Sequence, residues 1–328
     1  MVESKSLNCK TIGDLFGVEG RKLQRHYRDF MSDFHNWDSL AHAQEWLIYP
    51  QNIGPKLSID ETALSRGELY TILTNKSAKG RKGSIVAIVS GTKAENIIQV
   101  LQKIGLRERN KVKEITLDMA PNMNLIAKKC FPKAVRVTDR FHVQKLAIEG
   151  LQEIRIKYRW EAIDAENTAI EEAKAIKKVF YPEVLTNGDT VKQLLARSRY
   201  LLYKNKVKWT KTQKERAELL FKRFPNIEKA YDLTQDLSTI FRTTKDKDIA
   251  LTKLALWHEM VRKAGFKSFN TVSKTIENHY VTILNYFDNR STNASAESFN
   301  AKIKAFRAQF RGVRNIPFFL YRLTQIYG

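Results

Sequence analysis

Two aspartates in this sequence each follow a short apolar run that is typical of a β-strand. Asp60 closes the run LSID, and Asp118 closes ITLD. Alternation along a strand places Asp60 on the less apolar face, opposite Leu57 and Ile59. Neighbouring strands lie about 4.8 Å apart, so carboxylates at two adjacent strand ends could share a divalent cation. Mg²⁺ is typically bound by one or two carboxylates, waters and substrate phosphates. The alternative, for either residue alone, is an Asp that caps a turn.

Glu297 is the candidate for a third carboxylate. It begins the helical pattern ESFNAKIKAFRAQF, whose apolar stripe consists of Phe299, Ile303, Phe306 and Phe310. Glu297 falls on the opposite side, which faces either a cleft or solvent. An acid in the first turn would also complement the helix dipole. The same region carries four candidate DNA-binding cations, Lys302, Lys304, Arg307 and Arg311.

The composition indicates a folded protein with a polyanionic partner. The chain has 328 residues, is 43% hydrophobic, and carries 57 Lys plus Arg against 35 Asp plus Glu, a net charge of +22. Because cations placed on phosphates release counterions, this excess favours nucleic acid. A membrane surface is the alternative partner, but the sequence has no apolar run of 18 residues and no signal peptide. We expect a soluble cytoplasmic, nucleoid-associated protein with no membrane partner and no nucleotide cofactor.

The first fifty residues form a region with a helical pattern. Two short amphipathic helices are predicted around Gly17-Val18, in an arrangement that resembles a helix-turn-helix. Arg21 and Arg25 on the second helix are candidate DNA contacts. A helix pair without any DNA contact would give the same pattern. Residues 37–55 are predicted to be a linker.

Residues 51–149 have the pattern of one mixed α/β sheet. The predicted strands are 57–64, 68–74, 84–90, 114–119 and 134–139, with helices over 93–108 and from Pro121. The second and third strands are joined by the basic loop NKSAKGRKG, in which Lys79 and Arg81 are candidate DNA contacts. The two cysteines, Cys9 and Cys130, have no zinc-binding spacing, and Cys130 is expected to be a buried thiol.

Residues 150–285 have a helical pattern, and residues 286–328 form the last helices. One segment alternates cations with aromatic side chains, as nucleic-acid-binding grooves do: Arg197, Arg199, Tyr200, Tyr203, Lys204, Lys206, Lys208 and Trp209. The candidate DNA contacts within it are Arg197, Arg199, Lys204 and Lys206. Core packing is the alternative interpretation of each aromatic residue.

Four motifs, in this order, resemble those of DDE transposases of bacterial insertion sequences, in particular the ISL3 and ISAon-like groups. The motifs are SIDET, TLDMA, VTDRFHV and STNASAESFNAKIKAFR. The resemblance runs over residues 57–328. It implies an RNase H-like fold with a large helical insertion between the second and third acids, which would account for residues 150–285. The fold class expected is therefore α/β, with a small helical N-terminal region.

The resemblance also implies roles for individual residues. Asp60, Asp118 and Glu297 would bind two Mg²⁺ or Mn²⁺ ions. Asp139 and His142 match an Asp-x-x-His element that would support the site, and Asp139 is the alternative second ligand. The implied reaction is cleavage of double-stranded DNA at the element ends and transfer to target DNA, by a homo-oligomer. ISL3 relatives commonly begin with a Cys/His zinc segment, and this sequence has no such spacing, so we expect a shortened arm or a separate protein to recognise the ends.

Three other functions are compatible with the sequence. The first is an RNase H-like protein that binds DNA but does not cut it, and the second is a nuclease without strand transfer. The third, which the charge alone would allow, is an RNA-binding protein. Metal binding, product analysis and competition between RNA and DNA would separate them.

Overall fold

The computed structural model describes residues 7–65, 67–292, 294–309, 313 and 315–328. The chain is divided into two compact units. The first comprises Met1–Asp139 and Arg290–Gly328, and the second comprises Arg140–Asn289. In this division the helical unit begins earlier and ends later than the predicted 150–285.

The first unit is built on a six-stranded mixed sheet. Its strands are β1 (Trp46–Ile48), β2 (Lys56–Ser65), β3 (Glu68–Asn75), β4 (Ile85–Ser90), β5 (Glu114–Leu117) and β6 (Val135–Thr138). Their order across the sheet is β1-β4-β3-β2-β5-β6. Strands β1, β4, β3 and β2 pair antiparallel, whereas β2, β5 and β6 are parallel. The predicted mixed α/β sheet is therefore present with all five predicted strands, and it has a sixth strand, β1, that was not predicted.

Five α-helices precede the helical unit: α1 (Cys9–Phe16), α2 (Gly20–His26), α3 (Ala94–Gln102), α4 (Leu106–Arg109) and α5 (Pro121–Cys130). A π-helix, Tyr27–Met31, continues α2, and 3-10 turns lie at Asp33–Asn36, Leu40–His42, Pro50–Asn52 and Lys76–Ala78. The predicted helix pair at the N-terminus is present. Gly17 ends α1 in the left-handed region, with φ 68°, a conformation that glycine adopts without strain.

Two sequence predictions differ from the structure. The segment 37–55 is not only a linker, because β1 lies within it, pairs with β4 and forms one edge of the sheet, burying Leu47. Three residues are too few to give a periodic signal. The predicted helix over 93–108 is broken into α3 and α4. Gly105, the non-helical N-cap residue of α4, lies between them.

The second unit is helical. Its helices are α6 (Arg140–Ala175), α7 (Val191–Arg197), α8 (Lys211–Arg223), α9 (Pro225–Thr243), α10 (Lys247–Ala264), α11 (Lys267–Asn278), α12 (Tyr280–Leu284) and α13 (Tyr286–Asn289), with 3-10 turns at Leu201–Tyr203 and Lys206–Lys208. Capping boxes begin α7 at Thr190 and α8 at Thr210. Large buried side chains such as Trp257 and Tyr231 fill the core of this unit. Within the described part of the chain, no helix combines the length and apolar character that crossing a bilayer requires.

The chain returns to the first unit and ends with α14 (Ala294–Gln309) and α15 (Ile316–Tyr327). One face of the sheet shares an apolar cluster with α3 and α5, which includes Leu57, Ile59, Ile115 and Leu117. The other face shares a cluster with α14 and α15. Both faces are therefore covered, and Ser58, on the face that the sequence marks as less apolar, is fully buried.

The predicted apolar stripe of α14 holds this helix on the sheet. Phe299, Ile303 and Phe306 are buried in the same cluster as Leu64 and Ile72 of the sheet. Phe310, the fourth predicted member, lies outside the described residues. The alternation of three apolar positions with exposed Lys304 and Ala308 thus fixes which side of the helix meets the sheet.

Ile303→Ala should loosen α14 from the sheet. We expect the free energy of opening of the β2 and β3 amides to fall by about 2–5 kcal/mol, because a fully buried side chain leaves a cavity. Native-state hydrogen exchange would measure the loss. Lys304→Ala, on the exposed side, should change the same quantity by less than about 0.5 kcal/mol. Equal effects of the two variants would contradict the packing described here.

Candidate active site

Asp60 lies within β2, two residues past the last residue that pairs with β5, and Asp118 directly follows β5. Strands β2 and β5 are parallel, and Ser58 is paired with Thr116. Asp60 and Asp118 each follow this pair by two residues, so both side chains leave the same face in the same direction. This is the face that α14 and α15 cover. That the two aspartates share a divalent cation stays a prediction.

Local hydrogen bonds orient the two carboxylates. Asp60 Oδ1 accepts a hydrogen bond from the backbone N–H of Glu61, at 2.9 Å. Asp118 Oδ1 accepts one from the backbone N–H of Ala120, also at 2.9 Å, in the turn after β5. Each carboxylate oxygen has two lone pairs, so these bonds leave capacity for further ligands.

Glu61 is a third carboxylate beside these two, and the sequence analysis missed it. Burial is the main cause that raises its pKa, and the negative charges of Asp118 and Asp60 raise it further. Both aspartates are therefore close enough to Glu61 for their charges to act on it. The motif SIDET contains this Glu, so the signal was present in the sequence.

Helix α14 reaches the site through Asn300. Its Nδ2 donates a hydrogen bond to Asp60 Oδ2 at 2.6 Å, and Asn300 is almost completely buried. Residues three apart on a helix share a face, so Glu297 lies one turn before Asn300 on the same side. Glu297 itself is exposed. The structure thus brings the first turns of α14 to the part of β2 where Asp60 lies.

A full three-acid cluster is not formed by the side chains as they stand. Among the described residues, no group of three or more His, Cys, Asp or Glu side chains is arranged to hold one metal ion. The two aspartates nevertheless fit a hard divalent cation in their chemistry, because Mg²⁺ takes oxygen ligands and often only one or two carboxylates. Participation of Glu297 remains a prediction.

The two predicted supporting residues have different surroundings. Asp139 directly follows β6 and is buried, and its backbone N–H donates to the carbonyl of Leu117 at 3.0 Å. It therefore lies beside the end of β5. His142 is on α6 in the helical unit, partly buried, with its ring edge-on to Phe141. The supporting role of both residues stays a prediction.

Two of the cations on α14 donate hydrogen bonds to backbone carbonyls of the first unit, one in the loop between β3 and β4 and one in β2. Lys302 Nζ donates to the carbonyl of Gly80 at 2.7 Å, and Arg307 Nη1 donates to the carbonyl of Ala63 at 2.7 Å. Lys304 is exposed, and Arg311 lies outside the described residues. Gly80 leaves room for the Lys302 side chain, because it has φ 70° and a Cβ there would lie 2.7 Å from Lys302 Nζ.

The other candidate DNA contacts of the first unit are accessible. Arg21 and Arg25 are exposed on α2, and Lys79 and Arg81 are exposed in the loop between β3 and β4. Such positions suit contact with a phosphate backbone.

In the basic and aromatic segment of the helical unit, some cations are held in ion pairs and one aromatic residue is part of the packing. Arg197 is bonded to the buried Asp189, which Arg216 also holds at 2.9 Å, and Lys206 lies 3.1 Å from Asp232. Burial acts to raise the pKa of Asp189, but the bonds from Arg216 and Arg197 outweigh it and lower that pKa. Trp209 bonds to the backbone of this unit and stacks near Tyr231, so it is a packing residue.

Comparison with known proteins identifies the family. A family model described as "Transposase", that of the ISL3 group of DDE transposases, matches residues 57–323. This is most of the chain, and the chain belongs to that family. A search of curated proteins found no match. Among solved structures, the chain is similar to the Drosophila P element transposase strand transfer complex, with 13% sequence identity and a TM-score of 0.37, over 98% of this chain and 91% of that chain.

Membership confirms the resemblance that the four motifs indicated. Transposases are enzymes that cut DNA, so the class of enzyme and the class of partner follow from the family. The metal chemistry and the roles of individual residues do not follow from membership alone.

Glu61→Gln should stabilise the protein in a pH-dependent way. The pKa of Glu61 is raised on folding, so its ionisation lowers the free energy of unfolding as the pH rises through that pKa. The variant should therefore melt at a higher temperature than wild type at neutral pH. The gain should disappear below the ordinary Glu pKa of about 4.3.

Thermal melts from pH 4 to pH 8 would test this expectation, with exposed Glu68→Gln as the matched control. A gain for Glu61→Gln that is equal at both ends of the pH range would contradict it. In an NMR titration, Asp118→Asn should bring the pKa of Glu61 down.

Proposed function

We propose that this chain is a DDE-type transposase that cleaves DNA at the ends of an insertion sequence and joins those ends to target DNA, in a metal-dependent reaction. The observation that supports the proposal is that Asp60 and Asp118 each follow the paired residues Ser58 and Thr116 by two positions, with α14 bonded to Asp60 through Asn300. Family membership over residues 57–323 supports it.

The proposal includes an RNase H-like core. Three antiparallel strands, β2 to β4, followed by two strands parallel to β2, with helices on both faces, support this interpretation. The helical unit would then be an insertion between the second and third acids, and residues 1–50 a separate helical DNA-binding region. Assembly as a homo-oligomer on DNA, in the cytoplasm at the nucleoid, belongs to the same proposal.

Asp60, Asp118 and Glu297 would hold two Mg²⁺ or Mn²⁺ ions. When bound, such a pair supplies positive charge that activates the attacking oxygen and stabilises the leaving one. The chain itself fixes the carboxylates. Asp60 receives hydrogen bonds on both oxygens, from the backbone of Glu61 and from Asn300, which restrict its rotation.

The reaction would proceed as two displacements at phosphorus. Water attacks the phosphate at an element end and breaks its P–O3′ bond, which leaves a 3′-hydroxyl on one side and a 5′-phosphate on the other. That 3′-hydroxyl then attacks a phosphate of target DNA, breaks the P–O3′ bond there and releases a 3′-hydroxyl on the target strand. The exposed cations Lys79, Arg81 and Lys304 would hold the DNA backbone near the site. Asp139 would support the site from the end of β6, and the family motif assigns a supporting role to His142 as well.

A second candidate function has one specific observation in its favour. Because no three acidic, His or Cys side chains of the described residues are arranged around one ion, the fold also suits a protein that binds DNA without cutting it. Titration with Mn²⁺, followed by electron paramagnetic resonance, would separate the two functions. Absence of tight Mn²⁺ binding in the presence of element-end DNA favours the second.

Glu297→Gln should abolish strand cleavage and leave DNA affinity unchanged, because it removes a ligand charge and keeps the side-chain volume. The assay is cleavage of DNA carrying the element ends in Mg²⁺, with binding measured separately by fluorescence anisotropy. Glu95→Gln, on the exposed first turn of α3, is the matched control and should cleave normally. Full activity of Glu297→Gln would remove this residue from the triad.

The segment from Arg197 to Lys206 should contribute unequally to DNA binding. Arg199 and Lys204 are exposed and not paired with acids in the ion pairs described above, whereas Arg197 and Lys206 are. Replacing both Arg199 and Lys204 with Ala should reduce the slope of log affinity against log salt by about 2.

Arg197→Ala should in addition lower thermal stability, because the buried Asp189 would keep only one of its two cations, Arg216. Lys263→Ala, an exposed site at the end of α10, is the control for the loss of charge. If the slope of the Arg199 and Lys204 double variant equals that of wild type, this segment does not bind DNA.

A further inference from the structure

A buried polar cluster lies beneath the candidate site. Lys76 begins the 3-10 turn after β3, and its side chain is only 13% exposed. Its ammonium donates to Thr116 Oγ1 at 2.8 Å and to the hydroxyl of Ser291, and lies 3.5 Å from Glu114 Oε1. Thr116 and Glu114 are on β5 and are themselves buried.

Ser291 is the hub of this cluster. Its hydroxyl accepts from Lys76, donates to Glu114 Oε1 and lies 3.4 Å from Thr116 Oγ1. The residues it joins are 215 and 177 positions away in sequence. The Ser291 hydroxyl thus connects the residues before α14 to the turn after β3 and to strand β5.

The energetics of the cluster argue against a role in general stability. Burial is the main cause that lowers the pKa of Lys76, and the charge of Glu114 opposes it. Buried ion pairs contribute little net stability compared with apolar residues of the same size, because both charges lose their hydration. What such a pair supplies is a defined geometry.

The position of the cluster indicates which geometry it defines. Thr116 precedes Asp118 by two residues on the same strand face, and Asp139 is among the charges that act on Lys76. Ser291 precedes the first residue of α14 by three positions and Glu297 by six.

Three further polar contacts of α14 are described. Asn300, Lys302 and Arg307, which make them, all follow Glu297 in sequence. The first turn of a helix lacks intrahelical partners for its N–H groups and frays readily unless the chain before it is held. Contacts at Asn300 and beyond therefore do not by themselves fix the turn that carries Glu297.

We propose that Lys76, Glu114 and Ser291 form a buried clasp that fastens the segment before α14 to the sheet and so orients Glu297 toward Asp118. The three are positioning residues, which act through α14 and do not touch the substrate. The catalytic part of this inference rests on the proposed function, whereas the anchoring of α14 does not.

Ser291→Ala tests the clasp with the least disturbance, because it removes the hub and keeps the ion pair between Lys76 and Glu114. Ser84→Ala, which replaces another buried serine of the same unit, is the matched control. Ser291→Thr keeps the hydroxyl and is the rescue variant. Should Ser291→Ala fail to fold by circular dichroism, Glu114→Gln, which keeps the shape and an acceptor oxygen, takes its place.

The first measurement is hydrogen exchange of the full-length protein without DNA. In Ser291→Ala, the amides of residues 297–300, the first of α14 with intrahelical partners, should exchange about tenfold faster, the effect of losing about one hydrogen bond. Ser84→Ala and Ser291→Thr should exchange at the wild-type rate. Unchanged exchange in Ser291→Ala overturns the clasp.

The second measurement is Mg²⁺-dependent cleavage of element-end DNA. Turnover of Ser291→Ala should fall by about 10- to 100-fold, as for the loss of groups that orient metal ligands, with KM for DNA unchanged and turnover restored in Ser291→Thr. Faster exchange with normal turnover, while Glu297→Gln is inactive, overturns the role of the clasp in orienting Glu297. Wild-type protein that does not cleave overturns the proposed function instead, and the exchange result still decides whether the clasp holds α14.

Discussion

The parallel pairing of β2 with β5 is the constraint on which the candidate site depends. Ser58 faces Thr116 across these strands, and each strand reaches an aspartate two residues later. A shift of one residue in this register would turn one carboxylate to the opposite face of the sheet. The buried apolar residues Leu57 and Ile115 prevent that shift, since they would be forced out of the cluster that α3 and α5 complete.

Helix α14 packs on the sheet and contacts Asp60, so it borders the candidate site. Its apolar stripe fixes the side that faces the sheet, and its polar residues fix its position along the strands. Asn300 meets Asp60, and Arg307 meets the carbonyl of Ala63 further along β2. Cations that in the sequence suggest only DNA contact therefore have a structural part as well. The helix is both a component of the core and the carrier of Glu297.

The sequence predicted those features that depend on periodicity. Alternation identified the strands that carry Asp60 and Asp118, and helical spacing identified Phe299, Ile303 and Phe306 as the buried stripe. Strand β1 was not predicted, because a strand of three residues is too short to show a periodic pattern. Asn300 and Ser291 were not predicted, because they act through polar contacts with residues far away in sequence. Asn300 and Asp60 are 240 positions apart. Such contacts depend on the tertiary fold and leave no local pattern.

The division of the first unit into two separated stretches of sequence has a consequence during protein synthesis. On the ribosome, the six strands emerge before the helical unit, and α14 and α15 emerge last. Until then, Leu64, Tyr70 and Ile72 have no helices from the C-terminus to cover them. A nascent chain that stops early would therefore expose an apolar sheet face and also lack Glu297. The core therefore closes only when translation is complete, and Glu297, the proposed third acid, arrives at the same stage.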